Sequence, residues 1–84
     1  MSKAAFQLFV EDQLKQVLSD FATTVQTAAE LQGLTSPAKL ARHIGVSPST
    51  IGKLFNLSWQ PSLRAMVEFC TALGLRLQTD VTAA

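Results

Sequence analysis

Residues 36–56 read SPAKLARHIGVSPSTIGKLFN, and the way this stretch folds decides the rest of the chain. Leu40 and Ala41 precede Ile44 by four and three residues, which marks one apolar helical face. Ile51, Leu54 and Phe55 repeat that spacing a few residues later. Between the two sets lies Gly45-Val46-Ser47, where glycine supplies the positive φ that ends one helix and lets another begin. Ser36 before Pro37 is a helix opening, an N-cap hydroxyl followed by proline at the first helical position. Ser47 caps the second helix, which the pattern runs from Pro48 to about Phe55. Ala41 is small where that second helix has to cross closely above the first.

Two short helices joined in this way specify a helix-turn-helix, whose second helix can enter a DNA major groove. The run LARHIGVSPSTIGKLF resembles the helix-turn-helix of the Xre/Cro/CI, lambda-repressor-like family. Leu40-Ala41, Gly45-Val46-Ser47 and Ile51 fall on the family pattern. The following QPSLRAMVEFCTALGLRLQ is similar to the segment after the motif in antitoxin-type members. Together the two stretches extend the likeness over roughly residues 20–79. The resemblance implies an all-α bundle and, with the arm and tail described below, three parts. These are an N-terminal helical arm at 1–19, a DNA-binding domain at 20–79 that ends in a dimerisation strand, and a frayed tail at 80–84.

With 84 residues the chain makes one small domain, and 48% hydrophobic content is high for that size. The excess apolar surface suggests a face covered by a second copy. No apolar run approaches the ~20 residues that cross a bilayer. No secretion signal opens the chain, so a cytoplasmic location is expected. Cys70 is the only cysteine, and its neighbours supply no metal-ligand spacing. Net charge is only +1, yet it is unevenly placed. Residues 33–76 hold Lys39, Arg42, Lys53, Arg64 and Arg76 against Glu68, a net +4, whereas residues 1–32 carry a net −2. The positive half coincides with the helix-turn-helix.

Residues 1–32 contain neither Gly nor Pro. Phe6, Val10, Leu14, Val17, Phe21, Val25 and Ala28 step by four, four, three, four, four and three, close to a heptad seam. Read as one helix they run ~40 Å, longer than the domain needs, with a bend possible at Ser19-Asp20. The first half then either meets a second copy or another protein, with Phe6 and Phe9 in the contact, or folds back on its own core. After Gly74, Leu75-Arg76-Leu77-Gln78-Thr79 alternates like a half-buried strand. One lone strand leaves its backbone groups unpaired, so its natural mate is the same strand of another subunit. The other reading is an extended tail packed on its own domain. Leu75 and Leu77 join Phe6 and Phe9 as the candidate dimer contacts.

Carried over from the family, the base-facing positions correspond to Ser47, Pro48, Ser49 and Lys53. Ser49 can donate or accept at a base edge, and Lys53 can donate to guanine. Pro48 departs from the polar residue common there and offers only apolar contact. Gly52 costs roughly 1 kcal/mol in a helix interior, which is offset if the backbone must approach DNA closely. Candidate phosphate contacts are Ser36, Lys39, Arg42, Asn56, Ser62 and Arg64. Trp59 either caps the core or meets DNA or a partner. His43 is surface or backbone-bonded, with no catalytic or metal role. In the helix that follows Pro61-Ser62, the apolar face is read as Leu63, Met66, Val67, Cys70 and Leu73.

Two functions from different classes are compatible with these residues. One is a sequence-specific transcriptional repressor that binds a palindromic operator of double-stranded DNA as a homodimer, of the type II antitoxin or phage-regulator kind. The other is an interaction module that neutralises a toxin protein, with DNA binding secondary. An enzyme is not expected, because no acid pair, nucleophile–base set or phosphate-cradling loop is present. No cofactor is implied.

Overall fold

The computed structural model describes residues 2–83, so Met1 and Ala84, which end the predicted arm and tail, lie outside it. Four helices follow in order: α1 Lys3–Leu31, α2 Pro37–Ile44, α3 Pro48–Phe55 and α4 Leu63–Ala72. The molecule is elongated, 46 × 24 × 19 Å, because α1 alone is about 43 Å long at 1.5 Å per residue.

Each helix opens as its local chemistry dictates. The side chains of Ser2, Ser36, Ser47 and Ser62 accept hydrogen bonds from the backbone N–H groups of Ala5, Lys39, Thr50 and Ala65, at 3.1 to 3.2 Å. Pro37 and Pro48 occupy first helical positions, where a missing N–H costs nothing. Gly45 ends α2 at φ 92°, and the N–H groups of Gly45 and Val46 both return to the Ala41 carbonyl. That single left-handed residue turns the chain from α2 into α3. The end of α3 is closed by the same device with a poorer residue. The Leu57 and Ser58 N–H groups donate to the Leu54 and Lys53 carbonyls, and Leu57 sits at φ 58° without being glycine.

The α1 helix is unbroken. Ser19-Asp20 does not start a new helix, and Asp20 bonds along α1 instead. Gln16 Nε2 donates to Asp20 Oδ1 at 3.0 Å, and Thr24 Oγ1 donates to the Asp20 carbonyl at 2.9 Å. Burial along α1 begins only at Leu18 and continues through Phe21, Ala22, Val25, Ala28 and Ala29. From Phe21 onward these pack with Leu40 and Ala41 of α2, Ile51 and Leu54 of α3, Phe69 and Cys70 of α4, and its C-cap Leu73. The α2–α3 contact is the most extensive of the bundle, and Ala41 of α2 is 1% exposed. A larger side chain would hold the two helices apart. None of the described residues is a buried polar or charged one.

Two readings of the sequence need correction. The inward face of α4 is Met66, Phe69, Cys70 and Leu73, whereas Leu63 and Val67 are exposed. The helix has apolar residues on more than one side, and aromatic packing selects the side. The Phe69 ring lies 6.2 Å from that of Phe21 and 5.9 Å from that of Trp59, so Trp59 covers the core. The second correction concerns residues 75–79, which form no strand among the described residues. Leu75 and Leu77 lie half-buried against the domain's own core while Arg76 and Gln78 face outward. Their alternation records one-sided packing of an extended segment. Burial pushes the Cys70 thiol above its usual pKa, so the side chain stays protonated at neutral pH and acts as a small hydrophobe.

No helix among the described residues is long and apolar enough to cross a membrane. The arm does not fold back on the core either. Phe6 and Phe9 are 57% and 64% exposed on a straight continuation of α1.

Candidate nucleic-acid interface

Packing decides which side of α3 is free. Ile51 and Leu54 have no exposed surface at all, and Phe55 leans on the same core. Helical spacing then sends Ser49, Gly52, Lys53 and Asn56 to the opposite side at i, i+3, i+4 and i+7. Ser49, Lys53 and Asn56 are exposed and Gly52 half-exposed, so the four form one outward stripe along a two-turn helix.

The four base-facing candidates are not equivalent. The Ser47 hydroxyl receives the Thr50 N–H at 3.2 Å and shares a second bond with Thr50 Oγ1 at 3.0 Å. Holding the helix start is its principal work. Pro48 is exposed but can offer only ring carbons. Ser49 and Lys53 carry the stripe's free side-chain chemistry, and Asn56, read from sequence as a phosphate contact, shares their side. Asn56 is also the C-cap of α3. Its amide presents a donor and an acceptor together, the pair that adenine accepts.

The phosphate candidates outside α3 supply positive charge and helix starts on α2 and α4. Lys39 and Arg42 are exposed on α2, on the side away from Leu40 and Ala41. Ser36 and Ser62 cap α2 and α4, and a capping oxygen that accepts an N–H keeps its own proton free to donate. Arg64 differs, since its Nε donates to Glu68 Oε1 at 3.1 Å. The pair is open to solvent and therefore weakly held, so a phosphate could displace the carboxylate at little cost.

Two further residues, His43, which the sequence gives as surface or backbone-bonded, and Gln32, to which it gives no role, brace the helices around this surface. His43 Nε2 lies 2.8 Å from the Ala72 carbonyl, and Gln32 Nε2 donates to the Leu73 carbonyl at 2.8 Å. Both satisfy carbonyls that the end of α4 would otherwise leave without partners. They tie α2 and the end of α1 to α4. No signal within either local stretch announces these contacts, since each joins positions 29 or 41 residues apart.

Gly52 sits in the middle of α3, and a Cβ built there meets nothing within 4 Å. Gly52→Ala is therefore expected to stabilise the free protein by about 0.5–1 kcal/mol through helix propensity alone. A thermal melt should shift upward by about 4 °C, and a downward shift would mean that the helix is packed more tightly than described.

No curated protein and no solved structure matches the chain. A helix-turn-helix family model matches residues 25–79, a span that runs from the buried half of α1 through α4 and the extended segment. Two capped short helices, the left-handed Gly45 turn and the outward stripe of α3 all lie inside it. The chain belongs to the Xre/lambda-repressor-like helix-turn-helix family of DNA-binding regulators.

Proposed function

We propose that the protein is a sequence-specific transcriptional repressor that binds a palindromic operator as a homodimer, with α3 as the recognition helix. The outward stripe of Ser49, Gly52, Lys53 and Asn56 carries this reading. It is the exposed side of the helix that the motif presents, and α2 and α4 add exposed cations and helix N-termini. Ser49, Lys53 and Asn56 read base edges, and Pro48 contacts a thymine methyl. Ser36, Lys39, Arg42, Ser62 and Arg64 hold phosphates and set the register. With a single long cationic side chain in the stripe, direct readout is modest. Phosphate contacts and DNA shape supply much of the discrimination.

Gly52 lets the backbone of α3 come close to the duplex, so the same Gly52→Ala change that stabilises the free protein weakens its hold on DNA. The reading places the protein in the cytoplasm, as a type II antitoxin or a phage regulator, and assigns it no enzymatic step. Selection of bound duplexes from a random pool tests it, with the protein-to-DNA ratio measured on the selected site. A palindrome with half-sites one helical turn apart and two chains per duplex is expected. Binding at equal strength to every duplex would refute it.

A second reading draws on the exposed Phe6 and Phe9 of the arm, as the surface that seats and neutralises a toxin. Recovery of a stoichiometric small protein with the chain from its native cell supports that reading. Recovery of the chain alone from that cell contradicts it.

A further inference from the structure

One side of α1 carries a continuous apolar strip that the helix-turn-helix does not use. Phe6, Val10, Leu14 and Val17 step by four, four and three residues and run directly into Phe21. At about 3.6 residues per turn they share one side of the helix, with Glu11, Asp12 and Lys15 on the other. Phe6, Phe9 and Val17 are exposed, whereas Phe21 is buried. Where the strip reaches the domain it becomes the wall of a groove of about 530 Å³ between α1 and residues 75–80. Met66, Cys70, Leu75 and Leu77 line the groove opposite Val17 and Phe21. A protruding apolar helix and an apolar hollow thus lie side by side on the same helix.

We propose that two copies of the chain pair by exchanging arms, residues 6–14 of each lying in the groove of the other. The arm cannot fill its own groove, because α1 runs unbroken from Lys3 to Leu31 and carries the arm away from it. The occupant must come from outside, and the surface is self-complementary. A two-fold axis that sets the two α1 helices antiparallel places each protruding segment opposite the other copy's hollow. The contact closes on itself and leaves no free face.

The dimensions agree. Residues 6–14 span about 12 Å, and the groove follows residues 17–24 of α1 for about 10 Å. Arm and groove each count twice in a symmetric exchange. What is covered is the exposed Phe6 and Phe9 rings and the groove's apolar walls, surface that a single chain leaves open. The extended segment at 75–80 gains a role as the groove's far wall, which explains its one-sided packing without strand pairing.

This inference deepens the homodimer of the proposed function and rests on it for its purpose, though the interface can be tested without DNA. The full chain is expected to sediment as a dimer at micromolar concentration. The Phe6→Ser, Phe9→Ser double variant should sediment as a monomer with unchanged helix content, since neither ring supports the core. A natural chain that sediments as a monomer, or a double variant that remains a dimer, overturns the proposal.

Cross-linking separates exchange from other pairings and does not require the variants to weaken anything. In a Cys70→Ala background, Val10→Cys chains are mixed with Gln78→Cys chains and oxidised. Exchange predicts that the mixed disulfide exceeds both self-pairs. Dominant Val10→Cys self-pairs would mean that the arms lie against each other, and an absence of mixed disulfide in a dimeric sample would place the interface elsewhere. The monomeric double variant should still bind DNA at low salt, with a shallower salt dependence. Loss of DNA binding by the natural dimer would count against the function and leave the arm exchange standing.

Discussion

Phe69→Ala is expected to remove about 3–5 kcal/mol of the fold's stability at 25 °C. Phe69 is 2% exposed and is among the largest fully enclosed side chains of the core. Its ring lies between Phe21 of α1 and Trp59 of the loop before α4, at 6.2 and 5.9 Å. It therefore joins three parts of the chain that share no local contacts. Truncating such a ring costs about 3–5 kcal/mol in transfer and cavity terms. A domain of this length has about 4–12 kcal/mol in total, so the loss is a large share of what is available. Trp59 is the only tryptophan, and its emission reports the same contact directly. Urea titration followed by that emission should show the midpoint falling by a quarter or more. A loss below about 1 kcal/mol would contradict the packing, since a ring so enclosed cannot be removed so cheaply. Leu63→Ala supplies the contrast. It changes the exposed side of α4 and should cost well under 1 kcal/mol.

Lys53→Ala should weaken binding to a selected operator by about 1–3 kcal/mol, or roughly 5- to 150-fold, and relax the preference at one base position. Lys53 is exposed in the last turn of α3 and shares its outward side with Ser49 and Asn56. Among the described residues the recorded ion pair is Arg64–Glu68, so Lys53 need not break a bridge to reach DNA. Arg42→Ala on α2 should instead lower affinity for selected and random duplexes alike, because a phosphate contact carries no sequence information. An equal loss on both DNAs for Lys53→Ala would make that lysine a phosphate contact and move base reading to Ser49 and Asn56.

What could be read from the sequence was local. Ser36-Pro37, Ser47-Pro48 and Gly45 fix α2, the turn and α3, because each cap acts within four residues of itself. Ile51 and Leu54 declared the buried side of α3, and the outward side followed by exclusion. What could not be read depended on choices between equivalent local answers. Leu63 and Val67 are as apolar as Phe69, and only the distant Phe21 and Trp59 select the side of α4 that turns inward. The alternation in residues 75–78 has the same period in a paired strand and in a segment resting on a core, so period alone could not separate them. Asp20 offered a cap, but the helix runs on through it, with Gln16 bonded to its carboxylate and Thr24 to its backbone carbonyl. His43 and Gln32, which anchor α4, carry no local signature of that role.

Sequence reading by the stripe on α3 is measurable in one titration. Affinity is measured by fluorescence anisotropy on the selected duplex and on a random duplex at the same salt. The natural chain is compared with the Ser49→Ala, Lys53→Ala double variant. The natural chain should prefer its selected site by about 10³-fold or more, and the double variant should lose most of that preference while it keeps its grip on random DNA. A preference that survives both substitutions undiminished would contradict the account.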